Sequence, residues 1–415
     1  MIHEFGYGRS VQTVDIPQSN LLEVLLPNGH GEDAPEETVI RQALDNPIGT
    51  GKLRDIARGA RNVVIVTSDI SRPMPTSRVL PYVLEELRAA GVPYEEITLV
   101  FGLGSHRKQT EEERRRLAGD AYDLIRCIDS NPADCIRMGV TKAGTPVDIT
   151  RTVAEAGFRI CLGNIEFHYF AGYSGGAKAI MPGVSTPEAI QCNHRLMVSE
   201  AACAGRIDGN PVRADIEEAE RMCPADFILN VVLDEHKKVV RAVAGDVTSA
   251  HRKGCELLSE MYTKPIGKRA DIVIVSQGGA PKDANLYQTQ KALDNAKHAV
   301  RDGGTIILIG ACNEGFGNGT FERWMLGNPS PAAMIDGIGK HFELGGHKAA
   351  AIAMVLQHAE IDLVSELDPD TVRRAFLVPY PTAQAAFDNA MRKYGKGASV
   401  ICMPYGGSTL PVSAK

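Results

Sequence analysis

The sequence predicts an α/β protein of two domains, each built on a mainly parallel sheet. Three observations carry the prediction. Short runs rich in Val and Ile recur through the 415 residues, most of them continuously apolar rather than alternating, as burial on both faces of a parallel sheet requires. Amphipathic helical stretches stand between these runs, and strands alternating with helices mean α/β. A polar segment with Pro and Gly, residues 263–269, precedes a fresh apolar run and marks a division. The expected domains are residues 1–266 and 267–415, with the active site in the interdomain cleft, a common place for ligands.

The elements follow in order. Strands are expected at 62–67, 97–101, 159–163, 227–233, 271–276, 305–310 and 398–402. A helix over 77–90 stops at Gly91, whose freedom at positive φ suits a C-terminal cap. Thr110 and Glu113 have capping-box spacing and open a charged helix. Two more helices are expected at 350–357 and 382–393, and the small, polar tail 406–415 is expected to fray.

Composition narrows the function. Lys plus Arg number 45 against 51 Asp plus Glu, a net charge of -6, which argues against a nucleic-acid binder working through a basic surface. It offers no polybasic membrane patch either. No apolar run approaches the ~20 residues of a membrane helix. The opening Met1 to Gly6 has no basic stretch leading into an apolar one, so no signal peptide is expected. Nine cysteines without a CxxC pair fit a reducing compartment. A cytoplasmic globular enzyme is the expectation.

The chemistry concentrates between Asn164 and Gly183 (NIEFHYFAGYSGGAKAIMPG), just past the run at 159–163. Ligands bind outside the carboxyl ends of strands in open α/β sheets. Gly172, Gly175 and Gly176 followed by Lys178 suggest a phosphate cradle. The Walker A pattern is not matched, and an ordinary glycine-rich turn with a surface lysine explains the glycines equally well. Of eleven histidines, His106, His168 and His194 stand beside these loops. His106 and His168 each follow a strand and should emerge at one sheet edge. Either alone would more often be structural. Together they can act as acid and base on opposite faces of one substrate carbon. The third can ligate nickel, zinc or copper. Arg72, in Ser68-Asp-Ile-Ser-Arg-Pro73, can grip a carboxylate bidentately, or simply stand exposed while Asp69 caps the next helix. Gln288 and Lys291, three apart after a Gly-Gly turn, share one helix face and can present a donor and a cation to the cleft. A solvated face is the alternative.

These residues resemble the nickel-dependent lactate racemase family of 2-hydroxy-acid racemases and epimerases. The segment from His168 through Lys178 and Met181-Pro-Gly183 to Asn193-His194 carries the resemblance, with residues 68–73, 104–107 and 287–291 beside it. The resemblance implies a nickel-pincer nucleotide covalently attached at Lys178, with His194 as the protein's nickel ligand. It implies His106 and His168 as the catalytic acid and base, and Arg72, Gln288 and Lys291 as holding the substrate carboxylate and hydroxyl. Asp69 and the backbone at Gly172, Gly175 and Gly176 would help bind the cofactor. The first domain would bind the cofactor and carry the catalysis, and the second would close over the substrate. The implied reaction removes hydride from a small 2-hydroxy acid, gives a planar 2-keto acid, and returns hydride to its other face. Proteins that build the cofactor are the implied maturation partners.

Lactate-acting members carry a tryptophan at the start of a C-terminal-domain helix, where this chain has Gly345-Gly-His347-Lys348. Lys348 or His347 is therefore expected to face the substrate side chain, which could favour a second carboxylate, as in malate. Two alternatives stand. A pyridoxal-phosphate-type lysine enzyme leaves His194 without a role, and a non-catalytic nickel or nucleotide binder needs neither His106 nor His168.

Overall fold

The computed structural model describes residues 1–28, 34–234 and 236–413. The chain forms two compact units, one from His30–Glu260 and one from Met1–Gly29 with Met261–Lys415. In chain order, the strands of their two large sheets are β1 (Leu21–Val24), β2 (Val63–Ser68), β3 (Ile97–Gly102), β4 (Arg126–Asp129), β5 (Phe158–Asn164), β6 (Phe227–Leu233), β7 (Val239–Gly245), β8 (Ala270–Ser276), β9 (Val300–Ile309), β10 (Ala359–Val364), β11 (Val378–Tyr380) and β12 (Val400–Met403). The helices that matter here are α1 (Thr76–Ala89), α2 (Pro187–His194), α3 (Pro211–Met222), α4 (Leu286–Ala296), α5 (Gly346–Leu356) and α6 (Ala383–Tyr394).

The unit His30–Glu260 holds a sheet of order β7-β6-β5-β2-β3-β4. All neighbours run parallel except the edge strand β7, which is antiparallel to β6. β2, β5 and β6 are buried almost throughout, which is why they read as unbroken apolar runs. α1 buries Val79, Leu80, Val83, Leu84 and Leu87, one helical stripe, in the same core as Ile65, Phe101 and Ile160. The chain lays β3 and β4 outward on one side of β2 and then returns to lay β5 and β6 on the other. The order therefore reverses between β2 and β5, and such a reversal opens a crevice at the carboxyl ends of the strands.

The second unit has a fully parallel sheet of order β11-β10-β9-β8-β12-β1. Its edge strand β1 comes from the first 28 residues. The hairpin of Ile2–Tyr7 with Ser10–Asp15 buries Phe5 and Val14 against Ile274, Ile307 and Phe387. The expected first domain, 1–266, is thus corrected at its start. Apolar residues at the N-terminus find their burial partners some 260 residues later, which no local pattern announces. The tail is corrected too. Leu410–Ser413 pairs in parallel with Thr263–Ile266 because Leu410 is buried, while residues 414 and 415 of the expected frayed tail lie outside the described residues.

One buried group gives this unit a pH-dependent stability. Asp362, on the Val364 face of β10, is 0% exposed, and neither of its oxygens has a hydrogen-bond partner. Burial and the nearby Glu360 carboxylate push its carboxyl up to about 7, against the pull of Lys393. Its folded value thus lies above its unfolded one. The group is protonated in both states below about pH 4, and it destabilises the fold progressively as pH rises towards 7. At about 1.4 kcal/mol per pH unit, the full cost above pH 7 is on the order of 4 kcal/mol. Asp362→Asn is expected to raise the thermal unfolding midpoint at pH 8 and to gain little at pH 4.5. Equal gains at both pH values would show that the carboxyl titrates normally.

Candidate active site

Three loops leave the carboxyl ends of the adjacent strands β3, β2 and β5, and each carries predicted site residues. The loop after β2 holds Asp69 and Arg72, and the loop after β3 holds His106. The His106 Nδ1–H donates to Asp69 Oδ2 at 2.6 Å, and the Ser71 hydroxyl donates to Asp69 Oδ1 at 2.7 Å. Burial pushes the Asp69 carboxyl up, but the bonds from His106 and Ser71 outweigh it and hold the group below its ordinary value. An ionised Asp69 keeps the His106 hydrogen on Nδ1, which leaves Nε2 bare as a proton acceptor. Asp69, expected to help bind a cofactor, is thus the orienting partner of His106. Buried Gln109 completes the loop. It accepts from Ile70 N at 2.8 Å and donates to Asp129 Oδ1, at the end of β4, at 2.9 Å.

After β5, Phe167–His168 pairs with Gly172–Tyr173 in a two-rung hairpin. At its tip Phe170 is buried, and its ring is the common wall of three predicted residues. Its centroid lies 4.5 Å from that of His168, 4.9 Å from that of His194 and 5.9 Å from Lys178 Nζ. Burial first, then the electrostatic influence of Lys178, His194 and Arg72, holds the His168 imidazole well below its ordinary value. The ring is therefore neutral. Its Nδ1 accepts from Ala171 N at 3.2 Å, so its hydrogen sits on Nε2. Burial, with the guanidinium charges of Arg213 and Arg72, likewise drives the Lys178 amine well below the usual lysine range. That shift favours the uncharged, nucleophilic form of the amine. Arg72, exposed at the surface, acts electrostatically on Asp69, His168 and Lys178 alike, and so links the two halves of the site.

The glycines have a packing reason of their own. Gly172, Gly175 and Gly176 all take positive φ, and each is packed against protein where a side chain would begin. A Cβ at Gly176 would lie 2.7 Å from the His251 ring, one at Gly175 would lie 2.7 Å from Asn230 Oδ1, and one at Gly172 would strike the Arg206 carbonyl. The Gly176 amide is already given to Asn230 Oδ1 at 2.7 Å. The turn is a close-packed support for Lys178. Behind it, His251 Nε2–H donates to Ser174 O at 2.8 Å, and burial drives its imidazole down to about 3.

α3 fixes the hairpin from the other side. Its cap residue Asn210 donates to Phe170 O at 2.9 Å, and fully buried Arg213 donates to Ala171 O at 3.2 Å and to Tyr173 O. His194 ends α2, which is capped by Thr186, and its Nδ1 faces Asn193 Oδ1 at 2.9 Å. Sequence reasoning missed Phe170, Gln109, Asn210 and Arg213. The Cys192-Asn-His-Arg195 motif placed Asn193 beside a predicted residue but gave it no role. Among the described residues, no group of three or more His, Cys, Asp and Glu side chains is arranged to hold a metal ion.

In the other unit, Gln288 and Lys291 lie on α4, whose cap Asn285 accepts from Gln288 N at 3.1 Å. Lys348 and His347, expected to face the substrate side chain, both have hydrogen-bond partners within their own unit. Lys348, 5% exposed, turns its amine onto the first turn of α4, donating to Tyr287 O at 2.8 Å and to Gln290 Oε1 at 3.1 Å. Burial and the charge of Lys291 push the amine down to about 7. His347 Nδ1 accepts from Gly345 N at 2.9 Å, at the start of its own helix.

The comparisons with known proteins agree across the chain. A family model described as the lactate racemase N-terminal domain matches residues 7–205. One described as the lactate racemase C-terminal domain matches residues 266–410. The lactate racemase of Thermoanaerobacterium thermosaccharolyticum is 32% identical over 98% of this chain and 98% of its own length. That of Lactiplantibacillus plantarum is 32% identical over 97% of this chain and 98% of its own. This chain belongs to the lactate racemase family. The solved structure of the T. thermosaccharolyticum lactate racemase apoprotein superposes with a TM-score of 0.90 at 31% identity, over 99% of this chain and all of that one. A protein of Thermotoga maritima, 19% identical with a TM-score of 0.62 over 93% of this chain and all of that one, shares the fold. As a member of the lactate racemase family the protein is a racemase, an isomerase. No helix among the described residues is long and apolar enough to cross a membrane.

Proposed function

We propose that this racemase interconverts the enantiomers of a small 2-hydroxy acid, lactate or a relative such as malate, through a 2-keto acid, with a nickel-pincer nucleotide held on Lys178. The observation that carries the reading is Lys178 sharing the Phe170 wall with His168 and His194, its amine 5.9 Å from the centre of that ring. The residues fit the group. A neutral amine can be acylated, and a histidine with Nδ1 engaged offers a lone pair at Nε2 of the kind nickel takes. When bound, the cofactor supplies the hydride acceptor and donor. The chain supplies the rest. Arg72 holds the substrate carboxylate, and Gln288 and Lys291 are the further substrate-binding residues that the family resemblance implies.

His106, bare at Nε2, takes the hydroxyl proton of one enantiomer, and Asp69 stabilises the imidazolium that results. His168 carries its hydrogen on Nε2 in its resting form. To act as base for the other enantiomer its ring must carry the hydrogen on Nδ1, at the expense of the bond from Ala171. Maturation of Lys178 calls for proteins that build and load the cofactor.

The test uses protein produced together with cofactor-building enzymes. Peptide mass should show an adduct on the peptide holding Lys178, nickel should approach one per chain, and chiral assays on lactate and malate should show one or both racemised. Unmodified Lys178 in such cells would overturn the reading and favour a binding protein.

A further inference from the structure

His194 is the visible end of a buried chain of hydrogen bonds that runs back to a carboxylate on α3. Asn193 is 0% exposed, and its amide is spent in full. Its Nδ2 donates to Asp215 Oδ2 at 2.8 Å and to Val212 O at 3.2 Å, and its Oδ1 faces His194 Nδ1 at 2.9 Å. Turning the amide over would point its oxygen at a carboxylate and a carbonyl and its donors at the imidazole, so only one orientation is sound. Asp215 is 2% exposed and is held in turn by the hydroxyls of Thr141 and Thr145, the latter at 2.8 Å. An amide oxygen only accepts, so the hydrogen between Asn193 and His194 belongs to the imidazole Nδ1. Nε2 is then left with its lone pair. A neutral imidazole in water prefers the opposite arrangement, with hydrogen on Nε2, so the buried relay imposes a state the ring would not choose.

We propose that Asn193 and Asp215 are positioning residues for His194, an amide relay that locks its neutral ring as the Nδ1–H form, with the lone pair on Nε2. The metal in question rests on the reading of His194 as the nickel ligand, but the ring state does not. Nothing in the relay touches substrate. Asp215 orients and polarises the amide, the amide orients the ring, and partners of this kind commonly change metal affinity by about 10–100-fold.

Apoprotein labelled with 15N histidine, studied by nitrogen-detected ring spectra at pH 8, reads the state directly. The His194 signal is assigned by its loss in His194→Gln. The wild type should show a protonated Nδ1 and a bare Nε2 at His194. Asn193→Leu should move the hydrogen to Nε2 and, in cofactor-loaded protein, speed nickel loss by about 10–100-fold. Exchanging the pair, Asn193→Asp with Asp215→Asn, rebuilds an acceptor against Nδ1 and a donor behind it, and should restore the wild-type ring state. A hydrogen on Nε2 in the wild type would overturn the proposal. So would a hydrogen that stays on Nδ1 in folded Asn193→Leu. If that variant does not fold, the exchanged pair decides, and Nε2–H there would overturn it. Failure of the nickel reading looks different: nickel and the Lys178 adduct would be absent while the ring state stayed as proposed.

Discussion

Lys178→Met is expected to give folded protein with no racemase activity, a loss of more than about 10⁴-fold, as when a whole catalytic group is removed. The peptide holding residue 178 should carry no added mass, and nickel should fall to background. The thioether chain fills the same volume against Phe170 but has no nucleophile. The side chain removed is a part-buried amine beside the Phe170 ring and under the charges of Arg213 and Arg72. Its loss should leave the thermal midpoint unchanged or raise it, because an ammonium held near two guanidinium charges costs free energy. Activity that survives in Lys178→Met would sink the proposed attachment outright. A fall in midpoint of more than a few degrees would instead mean that the amine has a structural partner.

Asp69→Asn carries the second large effect. The carboxylate holds the His106 hydrogen on Nδ1, and an amide can turn its own donors towards that nitrogen and reverse the ring. Turnover should fall by about 10²–10⁴-fold with KM little changed, the signature of a base in the wrong tautomer. Ser71→Ala removes one bond to the same carboxylate and should cost far less, since Asp69 keeps His106. A loss below tenfold in Asp69→Asn, or a loss confined to KM, would return Asp69 to a binding role and deny it the orienting one.

Much of this was legible in the order of residues. The unbroken apolar runs at β2, β5 and β6 announced strands buried on both faces, and those strands form the middle of the first sheet. Thr110 and Glu113 announced a capping box that the structure contains. The positions of His106 and His168 after their strands announced a shared sheet edge. β10 escaped notice because Glu360 and Asp362 break its apolar pattern, although Asp362 is buried. β4 escaped because it is a short, half-exposed edge strand with charged ends. The partners of Lys348 were not legible because its position along the chain says nothing about α4, whose first turn takes its amine.

What the sequence determined by itself is local or periodic: the strands, the caps, the α/β class, and the residue types able to tether a cofactor, ligate a metal and move a proton. These depend on neighbours within a turn or on a repeat of two or 3.6 residues, and such patterns survive in a linear string. The tertiary structure alone decided which unit the first 28 residues complete, that Phe170 is the wall joining Lys178, His168 and His194, and that Asp69 belongs to His106. It alone chose the tautomers. A hydrogen bond is set by atoms 3 Å apart in space, and those atoms are separated along the chain by 37 residues for Asp69 and His106 and by 22 for Asn193 and Asp215.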